Sequence, residues 1–180
     1  MSGAGGGRIG DASSHVGGDP NSTALAYAGL ADTARSAGDP RRALELYQQA
    51  LDVGRGSLGP SELSAVRRKM GDAAEQISDH RGAEEHYRGA LAETRVVDDV
   101  DEMARSYLGL ATVALSGARF DEAVALAHEA VELSEARDLR GVAAGCRTLG
   151  LIEQTRGDAE AAARHEQALA LARELDAGSR

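Results

Sequence analysis

A spacing of 40 residues constrains this chain more than anything else in it. Ala43, Ala83 and Ala123 fall on that spacing, as do Ala50, Ala90 and Ala130. So do Leu30, Met70 and Leu110, each followed by a small residue: Ala31, Gly71 and Ala111. A fourth copy runs short, with Leu149-Gly150 one residue early and Ala168-Leu169 two early. The clearest copy, Tyr107 to Val131, reads as two amphipathic helices around a tight turn at Gly117-Ala118. A fixed period of this length marks stacked supersecondary units, each too small to bury its own apolar face. The recurring small residues have a steric reason. Where two helices of a hairpin cross closely, a side chain beyond a methyl would hold the backbones apart.

Helix punctuation follows the same period. Ser22 or Thr23 is expected to cap a first helix running to about Ala37. Gly38-Asp39-Pro40 then supplies a stop, an N-cap and a proline at the first helical position. The second helix carries Ala43, Leu44, Tyr47, Ala50 and Leu51 on one face to about Val53. Gly54 to Pro60 reads as a loop, Ser61 as the cap of a third helix ending near Ser78, and Asp79 as the cap of a fourth. Val97-Asp98-Asp99 breaks the chain before a fifth helix at about 100–115. A sixth follows at about 120–137, a seventh at about 139–155, and Gly157-Asp158 opens an eighth. No stretch alternates with period two, so no sheet is predicted. Residues 1–21 hold only Ile9 and Val16 as sizeable apolar groups among Gly, Ser and Asp. Such a segment cannot offset its ordering entropy and reads as a disordered leader.

Composition narrows the function classes. Aromatic residues are 3% of the chain with no Trp, so the core must close by packing small side chains, Ala above all. A net charge of −9 leaves no basic surplus to release counterions from phosphates, which argues against nucleic acid as a partner. The one cysteine, Cys146, excludes an intrachain disulfide and suits a reducing compartment. No apolar run approaches a membrane span and no signal pattern opens the chain, so the expectation is a soluble, cytoplasmic protein with no membrane partner. Of 20 basic residues only Lys69 is lysine, a bias that points to a GC-rich bacterial genome.

The chemistry-bearing groups give little. Gly5-x-Gly7-x-x-Gly10 and Gly54-x-Gly56-x-x-Gly59 match the dinucleotide fingerprint as strings but lack the preceding strand that would aim backbone N–H groups at a pyrophosphate. His80, Glu84 and His86 are the nearest thing to a metal set, yet the six-residue spacing takes His86 off the face shared by the other two. Cys146 occupies a large-residue position of the repeat and reads as a buried hydrophobe before a nucleophile. Tyr27, Tyr47, Tyr87 and Tyr107 recur at repeat positions and read as core. No catalytic residue, metal or cofactor is expected.

At the repeat positions the chain resembles the tetratricopeptide repeat family. The motif appears as Tyr27-x-x-Leu30-Ala31-x-x-Ala34 with Ala43-x-x-x-Tyr47, and as Arg67-x-x-Met70-Gly71-x-x-Ala74 with Ala83-x-x-x-Tyr87. The third copy is Tyr107-x-x-Leu110-Ala111-x-x-Ala114 with Ala123-x-x-x-Ala127, and the fourth keeps Cys146-x-x-Leu149-Gly150. The period of 40 exceeds the usual 34, similar to the longer-helix variety of bacterial regulators and partner-binding scaffolds. The resemblance implies an all-α, right-handed superhelix of four antiparallel helical hairpins, eight helices in all. Its repeats would span about 24–60, 61–97, 100–138 and 139–176 of a domain at 22–180. It also implies a concave groove, lined by first helices, that receives a peptide or a partner helix. Carried onto this chain, the groove positions are Asp32, Arg35 and Ser36, then Arg68, Asp72, Glu75 and Gln76. Arg105, Leu108, Thr112 and Leu115 follow, then Arg147, Leu151 and Gln154. Arg68, Arg105 and Arg147 would form a cationic ladder suited to an anionic group on the partner. The competing expectation is ordinary surface pairing: Arg68 with Asp72, Arg105 with Asp101, Asp32 with Arg35. The functional expectation is a non-catalytic protein-interaction module. The alternatives are a sensor for a small molecule or signalling peptide, and an enzyme using the groove as its pocket. An uncapped C-terminal helix would offer a surface for a homodimer.

Overall fold

Aspartate before proline starts the first two helices. Asp19 and Asp39 each accept a backbone N–H from three residues ahead, from Ser22 at 3.2 Å and Arg42 at 3.0 Å. The proline that follows each has no N–H to leave unpaired. The computed structural model describes residues 19–135 and 139–157, together with positions 163 and 170. Seven helices lie within them: α1 Pro20–Ser36, α2 Pro40–Gly54, α3 Pro60–Gln76, α4 His80–Val97, α5 Val100–Ser116, α6 Phe120–Glu135 and α7 Leu139–Arg156. The described residues contain no strand. The expected eighth helix, and residues 1–18 of the expected leader, lie outside the described residues.

Two caps differ from expectation. α1 begins at Pro20 under Asp19, so Ser22 and Thr23 are helix interior and the helix starts inside the stretch read as leader. α3 starts at Pro60 under Gly59 with no side-chain cap, which leaves Ser61 inside the helix. In both cases a proline at the first helical position fixes the boundary two or three residues earlier than the expected hydroxyl cap.

The turns share one left-handed residue. Gly38 (φ +83°), Ser78 (φ +59°), Ala118 (φ +55°) and Gly157 (φ +91°) occupy the same place in successive copies. The left-handed residue of the third turn is Ala118, and Gly117 before it has a φ of −86°. A side chain in that region costs about 1–2 kcal/mol. Ala118→Gly is thus expected to raise stability by about 1 kcal/mol, read as a higher denaturant midpoint at unchanged slope.

Packing proceeds in order along the chain. α1 with α2, α3 with α4, and α5 with α6 form antiparallel hairpins, and α2–α3, α4–α5 and α6–α7 join them. First helices also touch one another, α3 with α5 and α5 with α7, while no comparable contact joins α2 to α4 or α4 to α6. An array whose first helices meet and whose second helices splay curves toward the first helices. The buried interior is mostly alanine, with Tyr47 and Tyr87 as its largest fully buried side chains. Ala43, Ala83 and Ala123 are all fully buried, as their spacing requires. Cys146 is buried at its repeat position.

Candidate functional site

The two buried tyrosines organise the first-helix surface from beneath. Tyr47 of α2 donates its hydroxyl to Asp32 at 2.5 Å, and Tyr87 of α4 donates to Asp72 at 2.9 Å. These are the same pair one repeat apart. The third copy carries Ala127 and Thr112 instead, so the device ends there. Asp32 also accepts from Lys69 at 2.7 Å, tying α1 to α3. Burial alone would raise the Asp32 carboxyl. The bonds from Lys69 and Tyr47 and the charges of Lys69 and Arg35 outweigh it and hold the group below the ordinary carboxylate range. Burial and the bond to ionised Asp32 push the Tyr47 phenol up, against the opposing charge of Arg35.

One interface further on, Arg68 bridges α3 and α5. Its Nε donates to Glu102 at 2.8 Å and its terminal nitrogen to Asp72 at 3.0 Å, and Arg105 donates to the other oxygen of Glu102 at 2.7 Å. The chain Asp72–Arg68–Glu102–Arg105 alternates in charge and is largely buried at its centre. Burial would lower the Arg68 guanidinium, but Glu102 and then Asp72 raise it on balance, so it stays charged. The Arg68–Asp72 pair matches the surface-pairing expectation. Arg105 pairs with Glu102, and the strong partner of Asp32 is Lys69.

Tyr87 presents one proton to two carboxylates. Glu75 lies at 3.2 Å from its hydroxyl. A phenol donates once, and the shorter bond goes to Asp72, whose charge Arg68 neutralises. Glu75 completes the chain only when protonated, donating to the phenol oxygen. Burial pushes its carboxyl up, the Tyr87 bond pulls it down, and the Asp72 charge pushes it up again, leaving it above the ordinary carboxylate range. A carboxyl raised in the folded state loses native stability as pH climbs from its unfolded pKa through its folded one. Glu75→Gln is therefore expected to melt higher than the parent at pH 7, with the gap closing toward pH 4. Thermal melts at the two pH values check it.

Beyond α5 the pattern changes. Among the described residues no ion pair joins α5 to α7. Thr112 is exposed, with its hydroxyl donated to its own helix at Leu108 O. Arg105 has 55% of its side chain exposed, and Leu108 and Leu115 are half-buried. Arg147 is exposed on α7 with no acidic residue three or four positions away, and Leu151, one turn on, is 52% exposed. Ser36, Gln76 and Gln154 are exposed at helix ends, and Arg35 is half-buried beside Asp32 and Tyr47. Arg105 and Leu108 also line a recess of about 190 Å³ with Asp101, Ala104, Ser134, Gly141 and Ala144.

The chemistry-bearing candidates disperse. His80 is exposed at the start of α4, and Glu84 is bound to Arg88 and Arg119. Burial, then the Arg67 charge, hold His86 below its usual range. Among the described residues no group of three metal-ligating side chains comes together. No helix among them is long and apolar enough to cross a membrane.

The fold places the chain in the class of helical-repeat solenoids. Residues 23–61 match the family model described as tetratricopeptide repeat, so the resemblance drawn from the repeat motifs holds over the first hairpin. The structure is similar to BtubC (BKLC) from P. vanneervenii, at 21% identity and a TM-score of 0.74, over 89% of this chain and 66% of that one. It is similar to MamA at 19% identity and 0.66, over 89% and 83%. Aspartyl phosphate phosphatase F from Bacillus subtilis follows at 12% identity and 0.79, over 88% of this chain and 42% of that one. The chain thus spans about two thirds of BtubC and less than half of the phosphatase. No curated protein matches it.

Proposed function

We propose that the chain is a non-catalytic protein-interaction module whose concave face binds a peptide or partner helix at its α5–α7 end. The observation that carries this reading is the exposed Arg147–Leu151 pair on α7, set beside Arg105, Leu108 and Thr112 on α5. A cation with no intrahelical partner next to an uncovered leucine suits a partner that offers an acid beside an apolar side chain. Asp32, Arg68 and Asp72 serve instead to lock α1, α3 and α5 together, because their charges are answered within the fold. Arg35 and Gln76 border that locked region. Of the three arginines of the ladder, Arg147 is left with no acid on its own helix nearby, and Arg105, though it reaches Glu102, keeps 55% of its side chain exposed.

At the α5–α7 end, the recess beside Arg105 suits an inserted side chain better than a small-molecule ligand. Ligand pockets run to about 300–1,000 Å³, and 190 Å³ holds one inserted side chain. A photoreactive amino acid placed at Thr112 is expected to crosslink a protein in the native host, and Arg147→Glu with Leu151→Asp should abolish the adduct. The same label at Arg81, exposed on α4, should give none. Equal crosslinking from both sites would remove the groove reading.

A further inference from the structure

α1 carries an open face where its counterparts are covered. Met70 in α3 is 3% exposed, Leu110 in α5 6% and Leu149 in α7 2%, whereas their equivalent in α1, Leu30, is 57% exposed. Its neighbours follow suit: Val66 and Ala73, or Ser106 and Val113, are buried, while Ala26 and Thr33 are exposed. In each covered case the lid is the second helix of the preceding hairpin, α2, α4 or α6. Its ridge repeats as Ala43–Tyr47–Leu51, Ala83–Tyr87–Leu91 and Ala123–Ala127–Val131.

A glycine marks the empty seat. The ring of Tyr87 lies on Gly109 of α5 so closely that a Cβ there would come within 2.4 Å of it. The α1 equivalent of Gly109 is Gly29, in mid-helix, with nothing within 4 Å. Glycine in a helix interior costs about 1 kcal/mol relative to alanine, and no neighbour among the described residues accounts for it at this place. Around it, residues Pro20 to Ala31 carry no charged side chain, unlike the matching stretches of α3 and α5. An uncharged face with a slot for a ring fits a helix bearing a small residue, a ring and an aliphatic residue at four-residue steps.

The chain's own fourth copy spells that ridge. At the register set by Ala168-Leu169, two residues early, the equivalents of Ala43, Tyr47 and Leu51 are Ala161, His165 and Leu169. We infer that the open face of α1 receives the Ala161–His165–Leu169 segment of a second copy, joining chains head to tail so that one array continues into the next. Such a contact is heterologous, and it builds rings or filaments instead of closing at a dimer. It is independent of what the α5–α7 groove binds.

Sedimentation equilibrium of the full chain, from about 1 µM to about 1 mM, tests this. The average mass should climb with concentration past that of a dimer. Leu30→Arg, at an exposed site, and Leu169→Arg should each remain monomeric, and their equimolar mixture should stop at a heterodimer because each supplies one intact face. Gly29→Leu should melt no lower than the parent, since the site is open and the helix gains propensity, yet weaken assembly at least tenfold. A parent that stays monomeric at 1 mM would overturn the inference. So would assembly that survives Leu30→Arg or Gly29→Leu, or a Leu169→Arg chain that still self-associates.

Discussion

Tyr87→Ala is expected to destabilise the chain by about 3–5 kcal/mol, as for other buried aromatic truncations. For a chain of this size that is a fall in Tm of about 6–20 °C. The ring is 1% exposed and lies between Gly71 of α3 and Gly109 of α5, where a Cβ at either position would come within 2.6 Å or 2.4 Å of it. It is therefore a contact between successive repeats as well as within one. Removing it opens a void at that junction and takes the hydroxyl from Asp72 and Glu75. Tyr87→Phe keeps the ring and should cost about 1.5–3 kcal/mol, the usual scale for a bond to a charged group. Gly109→Ala approaches the same site from the other side. Because Gly71 bars the ring from retreating, the added methyl should overpack by about 1–3 kcal/mol. Urea denaturation of the three variants checks the order, with Tyr87→Ala the weakest.

Arg68→Ala should cost about 2–3 kcal/mol. Breaking one side of a buried pair leaves the other charge without compensation, at about 3–5 kcal/mol for full burial. The lower figure applies because Arg105 still holds Glu102 and Asp72 is one-third exposed. Arg105→Ala, with half its side chain in water, should change stability by less than about 1 kcal/mol. The contrast separates the two arginines by role. If Arg105→Ala were the more damaging, Arg68 would not be the residue locking α3 to α5. Replacing Arg68 and Glu102 together by Met and Leu should recover much of the loss, since the cost lies in the orphaned carboxylate.

The repeat made the helical layout legible because it is written in small residues whose spacing survives changes of their neighbours. Ala43, Ala83 and Ala123 locate three hairpins without any knowledge of their contacts. Asp39 and Asp79 are equally clear as caps, and the string Gly18-Asp19-Pro20 carries the same signal as Gly38-Asp39-Pro40. It was obscured by the Gly-rich residues before it. The turn at Gly117-Ala118 was equally clear, and counting from Gly38 by the repeat reaches Ala118 as its left-handed residue.

The groove was less legible because its charges pair across helices. Nothing in the local sequence ties Lys69 to Asp32 or Arg68 to Glu102, residues 37 and 34 apart. Intrahelical spacing favours Asp101 for Arg105, while the fold turns Glu102 inward to meet Arg68 as well. One signal was available: Tyr47 with Asp32 and Tyr87 with Asp72 repeat at 40, and the third copy drops both members together.

Hydrogen–deuterium exchange of the chain, alone and with the protein crosslinked through position 112, tests the central claim most directly. Protection concentrated in α5 and α7, with α2, α4 and α6 unchanged, is the predicted footprint. Protection of the second helices, with α5 and α7 exchanging as in the chain alone, would contradict it.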